Sequence, residues 1–170
     1  MRERIVLTGY MGTGKSSVGK RLAHRLSYRF IDLDEMVIDV AGMSISDIFA
    51  QHGEPYFRQL ESAALESACA EDGVVIATGG GAVIADKNRL QIRQNALVVN
   101  LTAGADEIQR RLADEDVRPL LRNNKSIEAI QDMLNVREQF YADADLRIDT
   151  TGKTVEEIVD VIASRLNGLR

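Results

Sequence analysis

Gly9-Tyr10-Met11-Gly12-Thr13-Gly14-Lys15-Ser16 is the stretch from which the rest of the chain is read. It fits G-x-x-x-x-G-K-[ST], with Gly9, Gly14, Lys15 and Ser16 at the fixed positions and a further glycine at Gly12. The chemistry behind the pattern is phosphate binding. Gly9 and Gly14 let the backbone turn where a side chain would block it, so that successive N–H groups point at phosphate oxygens. Lys15 is placed to reach the terminal phosphates, and the Ser16 hydroxyl to ligate the magnesium that accompanies a nucleoside triphosphate. A helix beginning at the loop adds the favourable end of its dipole for an anion. At ordinary residue frequencies the four fixed positions coincide by chance in about 0.6% of chains this long. The context makes coincidence rarer still. Ile5-Val6-Leu7 before the loop reads as a short buried strand, and Val18, Leu22 and Leu26 after it repeat at helical spacing.

Working outward, further apolar runs read as strands at Tyr28 to Ile31, Val74 to Ala77, Ala96 to Leu101 and Leu146 to Ile148, with helical patterns between them. Alternation of this kind predicts a parallel sheet covered by helices on both faces. Two spacings depart from it. A largely helical segment from Leu33 to Glu71 separates the second and third strands, and a polar stretch from Asp114 to Lys125 interrupts the region after the fourth. Ligands in open parallel sheets bind beyond the carboxyl ends of the strands, which is where a substrate site and a cover are expected.

Composition narrows the classes of function. The 170 residues read as one domain, with 45% hydrophobic and 28% charged residues and no apolar run long enough to span a bilayer. The N-terminal residues do not read as a signal peptide. A single cysteine, Cys69, excludes an internal disulfide framework and a cysteine metal cluster, and fits a reducing cytoplasm. His24 and His52 are too few for a histidine metal site. A formal charge of −5 argues against nucleic-acid binding through a broad basic face, so an anionic ligand needs locally placed Lys and Arg.

The chemistry-bearing residues follow in chain order. Asp32 and Asp34 close the second strand and, read as an extended segment, share one side of it. Either they serve the metal shell and an attacking hydroxyl, or one of them caps the next helix. His52-Gly53-Glu54-Pro55 predicts a break between two helices. In the second of these, Arg58 and Glu61 lie on one face beside the stripe of Phe57, Leu60, Ala64 and Ala68, as a surface ion pair or as part of a site. Gly79-Gly80-Gly81 follows the third strand, where an acidic residue is often found in proteins with such loops. It permits close approach of a substrate to the backbone, or makes a plain turn. Arg118 and Arg122 lie in the polar stretch, as lid guanidiniums over phosphate or as solvated charges. Ile127, Ile130, Leu134, Arg137 and Tyr141 share one helical stripe, which places a guanidinium among apolar residues. Arg137 therefore meets an acidic side chain or faces a cleft that receives an anion. Thr154 and Glu157 open the last helix as a capping box.

Taken together, these motifs resemble those of the shikimate kinase family over nearly the whole chain. The matching pieces are GxxxxGKS at Gly9–Ser16, DLD at Asp32–Asp34, G-x-S-I-x-D-I-F from Gly42 to Phe49 and GExxFRxxE at Gly53–Glu61. They continue with GGGAV at Gly79–Val83, RPLL at Arg118–Leu121 and R-x-x-x-Y at Arg137–Tyr141. The resemblance implies an α/β/α P-loop kinase fold with a five-stranded parallel sheet in the order 2-3-1-4-5. It also implies a substrate-binding helical insertion at about residues 33–62, a lid at about 112–125, and ATP-dependent phosphorylation of the 3-hydroxyl of shikimate in aromatic amino-acid biosynthesis. By position, Lys15, Asp34 and Arg118 are the implied catalytic residues. Gly12, Thr13, Gly14, Lys15, Ser16, Ser17, Arg111, Arg118 and Lys153 are implied for ATP, and Asp34, Arg58, Glu61, Gly79, Gly80, Gly81 and Arg137 for shikimate. Ser16 and Asp32 are implied for Mg2+. The expected partners are these small molecules, with no nucleic acid and no membrane, for a cytoplasmic monomer.

Two rival readings share parts of this pattern. A gluconate or nucleotide kinase on the same scaffold also binds an anionic acceptor. A nucleotide-dependent switch protein would need an N-K-x-D element, and Asn124-Lys125-Ser126-Ile127 lacks the aspartate. The D-x-x-G of Asp39 to Gly42 falls within a predicted helix.

Overall fold

A computed structural model describes residues 4–113 and 126–168. Its five strands are β1 (Arg4–Thr8), β2 (Arg29–Asp32), β3 (Val74–Ala77), β4 (Leu97–Thr102) and β5 (Leu146–Asp149). They pair in parallel throughout, in the order β2-β3-β1-β4-β5. Seven α-helices are described: α1 (Lys15–Leu26), α2 (Leu33–Ala41), α3 (Ile45–Cys69), α4 (Asp86–Asn95), α5 (Ala105–Leu112), α6 (Ile127–Tyr141) and α7 (Val155–Gly168). The expected sheet and its order are thus present, with each strand within a residue or so of its apolar run.

The strand sequences explain the layering. Every residue of β3 is buried, as is β1 from Ile5 to Thr8, because both strands are covered on two faces. Side chains alternate between those faces. Ile5, Leu7 and Val75 pack with Val18 and Leu22 of α1 and with Ile158, Val159 and Ile162 of α7. Val6, Val74 and Ile76 pack on the other side with Leu65 of α3, Ile92 of α4, Ile108 of α5 and Ile130 of α6. The result is a three-layer α/β/α sandwich.

Helix boundaries follow local chemistry. Ser44 caps α3 by accepting from Asp47 N at 3.1 Å, and Ser126 caps α6 by accepting from Ala129 N at 3.1 Å. Thr154 and Glu157 form the expected reciprocal box at α7, with Thr154 N donating to Glu157 Oε2 at 2.7 Å and Glu157 N to Thr154 Oγ1 at 3.3 Å. The break expected at 52–55 is a kink inside α3, where Gly53 adopts φ 81° and Pro55 follows. Asp39 to Ala41 are helical and Gly42 caps α2, so D-x-x-G is not a switch loop. No described helix is long and apolar enough to cross a membrane.

One expectation is corrected. Asp32 and Asp34 do not share an extended segment: β2 ends at Asp32, and Asp34 lies in the first turn of α2. Asp32 Oδ1 accepts from Asp34 N at 3.0 Å, so the strand-end carboxylate nucleates the helix that carries its neighbour.

The turn after β1 is sterically exacting. Gly9 has φ 140°, and a Cβ there would overlap the backbone carbonyl oxygen of Leu101 on β4. Gly9→Ala is therefore expected to destabilise the protein by more than about 2 kcal/mol in urea unfolding, since neither the dihedral nor the facing carbonyl can give way.

Candidate active site

The phosphate loop spans the exit of β1 and the start of α1. Gly9, Gly12 and Gly14 all have positive φ, at 140°, 78° and 95°. Space decides at Gly12 as well as conformation, because a Cβ would press within 3.3–3.4 Å of Leu112 and Ile108 on α5. Lys15 is buried, and its ammonium donates to the Gly9 and Tyr10 carbonyls at 2.8 and 2.9 Å. The lysine thus closes the loop around its own backbone. Thr13 Oγ1 donates to Tyr10 O at 2.7 Å, which turns the Thr13 side chain inward. α1 carries no acidic residue in its own first turn, so the positive end of its dipole is open to an anion on the loop side.

This loop opens onto a cavity of about 530 Å³, lined among others by Gly12, Thr13, Gly14, Lys15, Ser16, Ser17, Asp32, Asp34, Arg111 and Lys153. Ser16 Oγ donates to Asp32 Oδ2 at 2.7 Å, which joins a hydroxyl and a carboxylate at the cavity wall. Asp34 stands beside them, half-buried. Of the residues expected to face nucleotide or metal, all but Arg118 meet at this cavity. Arg118 and Arg122 lie outside the described residues, as does the expected lid from 114 on.

Arg111 ties three elements together. Its Nη1 donates to Gly12 O and Thr150 Oγ1, each at 3.1 Å, its Nη2 to Thr150 O at 3.0 Å, and its Nε to Glu107 at 2.9 Å. Thr150 is fully buried, and its hydroxyl also lies 3.2 Å from Thr13 O. The segment after β5 is thereby locked to the phosphate loop. Lys153 Nζ donates to Asp149 O at 2.8 Å, within the turn at the cavity mouth.

The second group of residues gathers around the glycines after β3. Arg58 donates to Glu61 Oε1 at 2.8 Å and to Glu54 Oε1 at 3.2 Å. Glu61 and Arg137 are both buried, and Glu61 Oε2 and Arg137 Nη1 have no hydrogen-bond partner among the described residues. Arg137 is attracted by Glu61 and lies near the Tyr141 hydroxyl, which donates to Gly80 O at 2.5 Å. The first alternative for Arg137 is met in part, since an acidic residue is near, while one donor nitrogen has no partner among the described residues. A buried, unpaired guanidinium nitrogen is costly unless a ligand supplies the acceptor. Glu54 is exposed, so the inner part of this cluster sets two guanidiniums against the single buried carboxylate of Glu61, which suits one carboxylate ligand.

The glycine run is an ordered buried turn leading into a short 3-10 segment, Ala82–Ile84. Its lack of side chains admits the arginines. A Cβ at Gly81 would lie 2.5 Å from Arg58 Nη2, and one at Gly80 would lie 3.4 Å from both Arg137 Nη1 and Met11 N. Sequence reasoning missed Tyr10, Glu107 and Thr150. The loop pattern leaves the type of residue 10 open, and the other two matter through contacts of high sequence separation.

A Gly-rich loop on a 2-3-1-4-5 sheet, beside a carboxylate and a buried arginine cluster, defines the class of P-loop small-molecule kinases. A family model described as shikimate kinase matches residues 11–167. The shikimate kinase of Geobacter metallireducens is 55% identical over 164 residues, covering 96% of this chain and 92% of that one. The chain belongs to the shikimate kinase family. Among solved structures, the shikimate kinase of Acinetobacter baumannii in complex with shikimate matches with a TM-score of 0.94 at 30% identity, over 99% of this chain and 94% of that one. A gluconokinase from Sinorhizobium meliloti matches with a TM-score of 0.65 at 21% identity, over 99% and 93% of the two chains, a likeness of fold alone. The sequence expectation of a kinase of shikimate, rather than of gluconate, stands.

Burial raises the Glu61 carboxyl above its ordinary value of 4.5, against the opposing pull of Arg58 and Arg137. The folded protein thus holds this proton more tightly than the unfolded chain. Its contribution to stability is complete below 4.5 and is lost as pH rises through the raised value. Denaturant titrations across that window are expected to show this decline in the wild type and a flatter profile in Glu61→Gln.

Proposed function

We propose that this chain transfers the γ-phosphoryl group of ATP to the 3-hydroxyl of shikimate through the residues assembled here. One observation carries the reading. Met11 N of the phosphate loop and Arg137 Nη1 stand at the same distance, 3.4 Å, from the Cβ position of Gly80. A phosphate held by the loop amides and an acceptor anchored by its carboxylate at the arginines are therefore close enough for a hydroxyl of that acceptor to reach the phosphate.

The roles follow from the contacts. Gly12, Thr13, Gly14 and Ser17 offer backbone and hydroxyl donors to the phosphates, and Lys15 exchanges the carbonyls of its own loop for phosphate oxygens. Arg111 and Lys153 border the base end of the cavity. Arg58 and Arg137 take the shikimate carboxylate, Glu61 holds Arg58 in place and presents its unpaired oxygen to a hydroxyl, and Gly79, Gly80 and Gly81 give the ring room against the backbone. Asp34 orients the 3-hydroxyl and receives its proton. The Ser16–Asp32 oxygen pair suits Mg2+, which takes few protein ligands besides phosphates and water, and which when bound neutralises phosphate charge. Among the described residues there is no group of three acidic, histidine or cysteine side chains for a self-sufficient metal site. Arg118 is assigned to the transferring phosphoryl group from its sequence position, in a lid at about 112–125. We assign residues 1–170 to one domain with a substrate-binding insertion at about 33–62, acting as a cytoplasmic monomer.

An ADP-release assay offered shikimate, gluconate and nucleoside monophosphates tests the acceptor; turnover of gluconate without turnover of shikimate would refute it. Asp34→Asn is expected to leave ATP binding intact and lower kcat by about 10²- to 10⁴-fold. Near-normal turnover would remove Asp34 from the chemistry. Arg137→Ala is expected to raise the KM for shikimate by at least about tenfold with a smaller change in that for ATP; the reverse pattern would misplace the arginine.

A further inference from the structure

We infer that Tyr10 couples the two substrate sites, so that phosphate at Lys15 and a carboxylate at Arg137 each tighten the other's binding. The inference rests on the assignments of Lys15 and Arg137 made above. Tyr10 belongs to the phosphate loop but is only 2% exposed. The Arg137 guanidinium lies over its ring, 5.5 Å from the centroid. Its carbonyl oxygen accepts from Lys15 Nζ at 2.9 Å and from Thr13 Oγ1 at 2.7 Å. A single residue therefore touches one site's cation with its side chain and the other's with its main chain.

The contacts give the coupling a direction. Two of the three ammonium protons of Lys15 are aimed at the Gly9 and Tyr10 carbonyls. A terminal phosphate competes for those protons and draws the loop amides around itself, while Thr13 Oγ1 keeps its bond to the Tyr10 carbonyl, so the Tyr10 peptide is held from the phosphate side. The ring is then a settled platform for Arg137, whose attraction to it depends on position over the ring face. A guanidinium already positioned loses less freedom when it takes a carboxylate, so the effect is favourable. Reciprocity requires the same factor in the other direction. The route is short. Arg137, Tyr141 and Gly80 form a second contact path to Met11, but that path bypasses the lysine.

Isothermal titration of shikimate, with and without a saturating non-hydrolysable ATP analogue, reads the coupling as a ratio of Kd values. The wild type and Tyr10→Phe are expected to show binding about three- to tenfold tighter with the nucleotide. Tyr10→Leu and Tyr10→Met, which keep apolar bulk without the ring, are expected to bring the ratio to within about twofold of one. A merely packing role would lower Tm and weaken both ligands in parallel while leaving the ratio as in the wild type, and that result overturns the inference. So does a wild-type ratio of one. Arg137→Ala separates the two levels: if it binds shikimate as the wild type does, the site assignment fails rather than the coupling.

Discussion

At Gly80 the phosphate loop, the exit of β3 and the Arg137 guanidinium converge on a space that one methyl group would fill. Much of the site depends on this close approach. It lets the first and third strands end at the same level, so the phosphate loop and the glycine turn lie against each other at the carboxyl edge of the sheet. Gly9 repeats the constraint on the other side, against the Leu101 carbonyl of β4. The loop is thus clamped between two strand ends, and the Lys15 and Thr13 side chains tie it from within.

The buried charges are arranged by the same economy of space. Glu61 lies between Arg58 and Arg137, and desolvation still outweighs their attraction in setting its proton affinity. Completing that cluster inside the protein would need another buried acid, which would leave no capacity for a ligand. Instead one carboxylate oxygen and one guanidinium nitrogen stay unpaired. Buried groups of this kind are tolerated where binding satisfies them, and they lower stability in the unliganded protein.

Much of the fold could be read from the sequence, because buried parallel strands are continuous apolar runs and the loop pattern fixes what lies on either side of it. Arg137 was detectable as a break in a helical stripe. Its relation to Glu61 was not, since residues on different helices meet through packing that periodicity does not encode. Asp34 was assigned to the right edge but the wrong element, because an Asp-Leu-Asp run fits a strand end and a capped helix start equally well. Tyr10 and Thr150 left no signal, as one fills an unspecified position of the loop and the other acts through a buried hydroxyl between distant segments.

The kink in α3 joins two separately anchored pieces of one helix. Up to His52 it packs through the fully buried Ile48, and the portion after Pro55 packs through Phe57, Leu65 and Ala68. The Phe49 and Phe57 rings meet across the break, 4.9 Å between centroids. Gly53 thus bends the rod without freeing either piece, and Arg58 leaves the joint in a direction that packing on both sides dictates.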